Sequence, residues 1–247
     1  MFHRNIADNI HRVAHADVNL YIVEDGDRIM LVDAGLPAMW KMTVAAIREL
    51  GRSPRDITAL VLTHAHFDHL GFAARVQHDL DVPVYCHPDD YYIAAHPYRY
   101  KHEKSRLIYP VKYPRCIPIL GRMTAAGALI VKGVSDLRPL DGAAAASLPG
   151  SPVVVPTPGH TAGHCALHFP EHGTLISGDA LVTLDPYTGA HGPHIVAAAA
   201  TADTRQALDS LQALAQTDAR VVLPGHGEPF RGGIASAVQE AIDRGPS

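Results

Sequence analysis

The chain is poor in cysteine, aromatic residues, net charge and unbroken apolar stretches, and each shortage closes off a class of explanation. Only three cysteines occur among 247 residues, Cys86, Cys116 and Cys165, and no two form a Cys-x-x-Cys pair. An odd, scattered set argues against a disulfide framework and fits a reducing compartment. Aromatic residues make up 6% and charged residues 19%, against 47% apolar ones, which is the composition of an ordinary globular protein rather than a disordered or fibrous one. A formal charge of −4 leaves no bulk positive field for nucleic acid. No uncharged apolar run reaches the roughly 18 residues of a membrane span. The longest candidate, 117–131, is interrupted by Arg122. The opening Met1-Phe2-His3-Arg4-Asn5 lacks the apolar core of a secretory leader, so the cytoplasm is the expected location.

Strand and helix signals alternate along the chain. Residues 19–24 and 28–32 flank the turn Asp25-Gly26-Asp27 and predict a hairpin. Pro37 near a first helical position, Trp40, Val44, Ile47 and Leu50 on roughly one face, and Gly51 just past the end predict an amphipathic helix. Ala59-Leu60-Val61-Leu62 reads as a buried strand leading into His64, followed by a helix over about 71–80 and a strand over 82–86 with Pro83 at its start or on an edge. Strands resume at 153–155, 165–169, 174–177 and 220–223. The helix before the last of these starts at the capping box Asp203-Thr204-Arg205-Gln206 and presents Leu208, Leu211 and Ala215 as its buried stripe. Two β-rich halves with helices outside predict one α+β domain over 1–247, a four-layer αββα sandwich of two mixed β-sheets. The pattern lapses in a small-residue loop at 141–152 and in a basic, tyrosine-rich insertion at about 96–116.

What the chain has in plenty is histidine, 17 copies. The densest cluster is Thr63-His64-Ala65-His66-Phe67-Asp68-His69, placed where the chain leaves a buried strand. A merely polar turn would have to solvate each of these groups separately. Imidazole nitrogens and a carboxylate in one loop suit zinc, and two neighbouring ions can share such a set. Three later segments follow the same placement: Pro158-Gly159-His160, Ser177-Gly178-Asp179 and Pro224-Gly225-His226 each end a predicted strand. The glycine before each ligand type permits a sharp turn or a close backbone approach, so all of them can converge on one edge.

This ordered set resembles the metallo-β-lactamase superfamily, whose pattern is H-x-H-x-D-H, then G-H, a bridging Asp, and a final G-H. The resemblance spans nearly the whole chain and implies its fold. It implies that His64, His66 and His160 hold one metal, that Asp68, His69 and His226 hold a second, and that Asp179 bridges them. Asp33-Ala34-Gly35 is similar to the family's early Asp-x-Gly turn. The strings Pro158-Gly159-His160-Thr161-Ala162-Gly163-His164 and Pro224-Gly225-His226-Gly227 are similar to the glyoxalase II-like and lactonase-like branch. The implied cofactor is two Zn²⁺ ions, with iron or manganese as alternatives. The implied activity is hydrolysis of an ester, lactone or thioester of a small molecule by a metal-bridging hydroxide. A centre with two Zn²⁺, two carboxylates and hydroxide carries a formal charge of about +1, and such ions lower the pKa of bound water from about 15.7 towards 7. In that scheme Asp68 orients the hydroxide and passes on its proton, and Asp179 sets the metal spacing. Where the acyl-homoserine lactonases carry a tyrosine three residues after the bridging aspartate, this chain has Val182.

Other residues are candidates of a second kind. His164 and Asp33 are expected to support ligands from behind. Tyr187, His191 and His194, in the turn-rich loop after Asp179, are expected near the substrate. Arg99, Tyr100 and Lys101 belong to the basic stretch, in which six Arg and Lys side chains oppose the single Glu103. That stretch reads either as an amphipathic helical cover docked on the body or on a second subunit, or as a lid over an anionic substrate. Cys165 is expected to be a buried strand residue rather than a nucleophile. The other function classes that fit are a mononuclear-iron sulfur dioxygenase, a β-lactam hydrolase and, less well, a non-enzymatic interaction module. The expected partners are a small-molecule substrate and optionally a second copy in a homodimer, without nucleic acid or membrane.

Overall fold

Strands covered on both faces carry apolar residues at consecutive positions, and the longest such runs build a sheet of seven strands. The computed structural model describes Met1–Ser247 throughout. Its first half runs β1 (Phe2–Ala7), β2 (Ile10–His15), β3 (Val18–Asp25), β4 (Arg28–Val32), α1 (Met39–Glu49), β5 (Ile57–Val61), α2 (Phe67–Leu70), α3 (Ala73–Leu80), β6 (Val84–Cys86), α4 (Tyr91–Ala95), α5 (Tyr109–Lys112), α6 (Cys116–Ala125) and β7 (Arg138–Pro139). These strands lie side by side in chain order, antiparallel from β1 to β4 and parallel from β4 to β7. The second half adds α7 (Gly142–Ala145), β8 (Val153–Pro156), β9 (Cys165–Phe169), β10 (Thr174–Gly178), β11 (Val182–Leu184), β12 (His191–His194), α8 (Thr204–Ala215), β13 (Val221–Pro224) and α9 (Ile234–Arg244). A second sheet has the order β13-β10-β9-β8, with β10 and β13 parallel and the other pairs antiparallel, while β11 and β12 pair only with each other.

Alternation of side chains along each strand sorts the layers. Leu20, Ile22, Ile29 and Leu31 pack against Ile47, Val76, Ile119 and Met123 of the helices outside the first sheet. Their neighbours Tyr21, Val23, Met30 and Val32 turn the other way and meet Cys165, Leu167, Phe169, Ile176 and Leu223 of the second sheet. The far face of that sheet, with Ala166, Leu175 and Val222, is covered by Leu211 and Leu214 of α8 and by Ala237, Val238 and Ala241 of α9. The layers are therefore helix, sheet, sheet, helix, which is the α+β sandwich expected. No helix is long and apolar enough to cross a membrane.

The structure departs from the sequence reading in detail. The buried face of α1 consists of Met39, Thr43, Ala46 and Ile47, turned from the predicted stripe because Trp40 and Val44 sit at its half-buried margin. In α8, Ala207, Leu211 and Leu214 are buried, whereas Leu208 and Ala215 are half-buried, and Asp203 caps the Gln206 N–H at 2.8 Å. Residues 96–116 form no amphipathic helix. They carry a 3₁₀ turn at Arg106–Ile108 and the four-residue α5, and main-chain bonds dock them. The Glu103 and Lys104 amides donate to the Ala198 carbonyl, and the Glu103 carboxylate accepts from the Thr204 amide and hydroxyl at 2.8 and 2.9 Å. The only acid of the basic stretch thus anchors it, while most of its cations stay in solvent.

Candidate metal centre

Parallel strands discharge their chains at one edge, and groups that follow them meet there. Strands β4, β5 and β6 point the same way and are followed by Asp33, by the loop His64–His69 and by Asp90. In the second sheet β8, β10 and β13 share a direction, since β9 is antiparallel to both β8 and β10, and they are followed by His160, Asp179 and His226. Two of the glycines have a specific steric reason. Gly159 adopts φ +132°, and a Cβ there would lie 2.2 Å from the Ala207 amide nitrogen; at Gly225 it would lie 2.1 Å from Asp179 Oδ1.

The structure brings all seven predicted metal ligands together. The ligand atoms of His64, His66 and His160 lie within 4.8 Å of one another, as do those of Asp68, His69 and His226, and those of His64, His69 and Asp179. Asp179 reaches both groups: its Oδ2 is 3.5 Å from His160 Nε2 and 3.3 Å from His226 Nε2, and its Oδ1 is 3.4 Å from His69 Nε2. The Nε2 atoms of His64, His66, His69 and His160, together with Asp179 Oδ1, are buried without a hydrogen-bond partner. A buried polar atom left unpaired costs about 1–3 kcal/mol. Five of them aimed into one cluster are explained by a cation that takes their lone pairs.

The backs of four of the five ligand rings are tied so that this lone pair is available. The Thr63 hydroxyl has one proton and gives it to Asp33, so its oxygen accepts from His64 Nδ1 at 3.1 Å. The Thr201 hydroxyl donates to the Val196 carbonyl and accepts from His160 Nδ1 at 3.2 Å. His69 Nδ1 donates to Asp33 Oδ2 at 2.9 Å, and His226 Nδ1 donates to the Asp17 carbonyl at 2.7 Å. His164 acts on the main chain: its Nε2 accepts the Asp179 N–H at 3.0 Å, and its Nδ1 pairs with Thr157 Oγ1 at 2.7 Å. Asp33 and His164 therefore lie behind the candidate ligands, in contact with His69 and with the Asp179 main chain.

Three supports escaped the sequence reading. Asp90, fully buried, accepts from the Ala65 amide (3.1 Å), the Thr161 hydroxyl (2.7 Å) and the Gly163 amide (2.8 Å), and so joins the His64–His66 loop to the His160 loop. The available signal was its position after β6, next to β5 in a parallel set. Asn19 and Tyr21 of β3 bond the Pro224 carbonyl at 2.9 and 2.6 Å, and Asn19 also bonds the Gly227 carbonyl at 2.7 Å, which fixes the final ligand loop. Nothing in a strand's own sequence announces such a contact.

Burial sets the electrostatics. It lowers the His160 pKa to about 4 and holds His64 and His66 well below the ordinary imidazole value, so these three rings are neutral. At His226 burial pulls down but is outweighed, chiefly by the Asp179 carboxylate, and the ring is pushed up to about 10. Asp179 itself is held well below the carboxylate range, since His226 and His69 overcome its burial. This paired charge is the field in which cations compete with protons for the same lone pairs. Cys165 lies buried in β9, where burial raises its thiol to about 12, as expected of an inert strand residue.

A small cavity over the cluster is walled by Phe67, Tyr100, Leu120, Met123, Pro186, Tyr187 and Val196 as well as by the ligands. The Tyr100 ring lies on that of His66, with centroids 3.9 Å apart. Tyr187 is half-buried there, and burial, followed by the Asp68 carboxylate, pushes its phenol up to about 12. Arg99 and Lys101 are exposed and line a second cavity of about 260 Å³ that reaches His66, His160 and Tyr100. The structure does not bring His191 or His194 to the cluster. Strand β12 folds back on β11 and is tied to α9 by Arg244 on the His191 carbonyl, which leaves His191 exposed in a separate cleft and turns His194 Nδ1 to the Gly192 carbonyl. Val182 is fully buried and packs with Tyr100, Val196 and Ala200.

The family model of the metallo-beta-lactamase superfamily matches residues 15–226. The chain is similar to YflN of Bacillus subtilis, described as a probable metallo-hydrolase, at 28% identity over 92% of this chain and 86% of that one. It is similar to the crystal structure of TTHA1623 in a di-iron-bound form, with a TM-score of 0.62 and 28% identity over 91% of this chain and 95% of the other. A hydroxyacylglutathione hydrolase of Bdellovibrio bacteriovorus matches at 26% identity over 52% of this chain and 36% of its own length.

Proposed function

The chain belongs to the metallo-β-lactamase superfamily, and from that premise we propose that it is a binuclear metallohydrolase, most simply a dizinc enzyme, that cleaves an ester, lactone or thioester of a small molecule. The observation that carries this reading is the set of buried, unpartnered ligand atoms on both sides of Asp179. His64, His66 and His160 would hold one ion and Asp68, His69 and His226 the other, with Asp179 shared between them. Bound there, the ions supply Lewis acidity and a water ionised near neutral pH.

The remaining chemistry falls to the chain itself. Asp68 lines the cavity and keeps one carboxylate oxygen 3.3 Å from His226 Nε2, so it can accept a proton from the attacking water and return it to the departing oxygen or sulfur. Tyr187 keeps its proton at neutral pH and donates it as a hydrogen bond toward the carbonyl oxygen. His164 holds the Asp179 main chain, and Phe67, Leu120 and Met123 exclude bulk water. The similarity to a hydroxyacylglutathione hydrolase favours the thioester among the three bond types. The di-iron form of TTHA1623 makes iron the metal to test against zinc.

The test is metal quantification on purified protein, then a panel of thioesters, lactones, carboxylic esters, β-lactams and phosphodiesters assayed with that metal. Two ions per chain and turnover confined to acyl substrates are expected. One iron per chain, with oxygen consumed during thiol oxidation, would replace this reading with the sulfur dioxygenase one.

A further inference from the structure

The cavity over the metal ligands adjoins a groove of about 370 Å³, and the two share Phe67, Leu120, Met123 and Tyr187 as lining residues. The remaining groove wall is apolar apart from Arg106 and Thr124: Tyr98, Leu107, Pro110, Ala128 and Leu129 complete it. The groove is built rather than incidental. The Tyr98 ring stacks on Phe67 with centroids 6.0 Å apart, while its hydroxyl donates to the Ala128 carbonyl at 3.0 Å and accepts the Val131 amide at 2.7 Å. Leu107 is 85% exposed and Leu129 71% exposed, an apolar rim that water solvates poorly.

Arg106 is the one charged side chain of this groove. Its guanidinium carbon stands 4.2 Å from the centre of the Tyr100 ring, the same ring that lies on His66. Its Nε donates to the Ala199 carbonyl at 3.3 Å, and no acidic side chain pairs with it. The side chain is thereby held from one edge and stacked on one face, which leaves the two terminal NH₂ groups for a ligand. That free edge offers two parallel donors, the arrangement that matches the two oxygens of a carboxylate.

We propose that the groove binds the apolar body of a carboxylate-bearing acyl substrate and that Arg106 pairs with its carboxylate where groove and metal cavity meet. This specifies the substrate class of the hydrolase reading and rests on it for the fate of the ligand, though not for its binding. Of the basic residues in 96–116, Arg106 alone is both half-buried and fixed beside the metal cavity; Arg99 and Lys101 stay exposed at the other one. Burial of each methylene in the groove gives roughly three- to fourfold in affinity. The Arg106 pair adds about tenfold for an anion over a neutral head of the same length.

The experiment is calorimetric titration of the metal-loaded protein with acetate, octanoate and 1-octanol, for the wild type and for Arg106→Gln, Leu107→Asp and the double variant Arg99→Gln/Lys101→Gln. Octanoate should bind tightest. Arg106→Gln should remove its advantage over 1-octanol, Leu107→Asp should weaken both eight-carbon ligands, and the double variant should change neither. Leu107 is solvent-exposed, so an unchanged Tm in that variant excludes misfolding as the cause. Equal binding of acetate and octanoate, or loss of the anion preference in the double variant instead of Arg106→Gln, would overturn the assignment. A dimer that Leu107→Asp dissociates without moving octanoate affinity would give the groove to a second copy and overturn it too. The hydrolase reading fails separately: octanoate binding through Arg106 without turnover of any acyl compound keeps the groove and removes the reaction, whereas turnover indifferent to chain length and charge does the reverse.

Discussion

Replacing Asp90 by Asn tests whether the two ligand loops are positioned by a single buried carboxylate. The side chain accepts three hydrogen bonds with two oxygens, Oδ2 from Ala65 and Thr161 and Oδ1 from Gly163. An amide has only one acceptor. Turned towards Ala65 and Thr161, it sets its NH₂ against the Gly163 N–H and strands a buried donor, at about 1–3 kcal/mol. The two bonds that survive lose their charge assistance and with it about half their strength, so the total is roughly 2–4 kcal/mol. For a chain of this size that corresponds to a Tm lower by roughly 5–15 °C, read by calorimetry on metal-loaded protein. The metal readout is more telling. Ala65 lies between His64 and His66, and Thr161 follows His160, so the ion at those three histidines should bind about 10- to 100-fold more weakly. The ion at Asp68, His69 and His226, which Asp90 does not touch, should keep its affinity in a competition titration with a chromophoric chelator. If both affinities fall together, or neither affinity nor Tm moves, Asp90 does not position the first site and the reasoning is wrong.

Three further outcomes follow from the same structure. Chelation should lower Tm by roughly 8–16 °C, since one ion held at a thousandfold excess over its Kd contributes about 4 kcal/mol, and an unchanged transition would show that the cluster binds no metal. Gly225→Ala drives a methyl into Asp179 Oδ1, so elemental analysis should find both ions depleted in a protein whose circular dichroism is unaltered; full occupancy would contradict the crowding. His11 accepts the Asn5 N–H on Nδ1 at 2.9 Å and pairs with Glu24 through Nε2 at 2.8 Å, so a second proton has no place. Burial lowers its folded pKa below the ordinary value, and the stability it lends is present above that value and lost as pH falls through the lowered one. Amide protection factors in β1 and β2 should therefore drop between about pH 7.5 and 5 relative to those in β9 and β10, and a uniform response would exclude His11 as the cause.

The layers of the fold were legible because each strand's hydrophobic run is long enough to need cover on both faces, and 19–24, 28–32, 59–62 and 174–177 all became strands within a residue or two. What local pattern could not specify was partnership. Phe2–Ala7 carries little apolar signal and is a strand because β2 offers it an open edge. The two-residue β7 exists only because β6 has a free edge beside it. In 96–116 the basic and tyrosine content suggested a helical face, whereas the main chain found partners in the carbonyls of Ala198 and Thr201, too distant in sequence for a periodicity to sense.

The candidate ligands were legible for a different reason. A buried His or Asp at a strand end is expensive, so its recurrence after successive strands is information even before the partners are known. Supports and substrate walls carry no such penalty in the sequence. Asp90 looks like any acidic turn residue until three donors from two other loops converge on it, and Tyr98 looks like a surface tyrosine until its hydroxyl is seen between Ala128 and Val131. His191 and His194 show the converse. Their composition matched a site, but the antiparallel return of β12 on β11 carried them away from it. Residue type therefore decides which groups can serve as ligands, whereas topology decides which of the remaining polar groups reach them. Arg106 was separable from its five basic neighbours only through a contact with Tyr100, a residue whose own place depends on lying across His66.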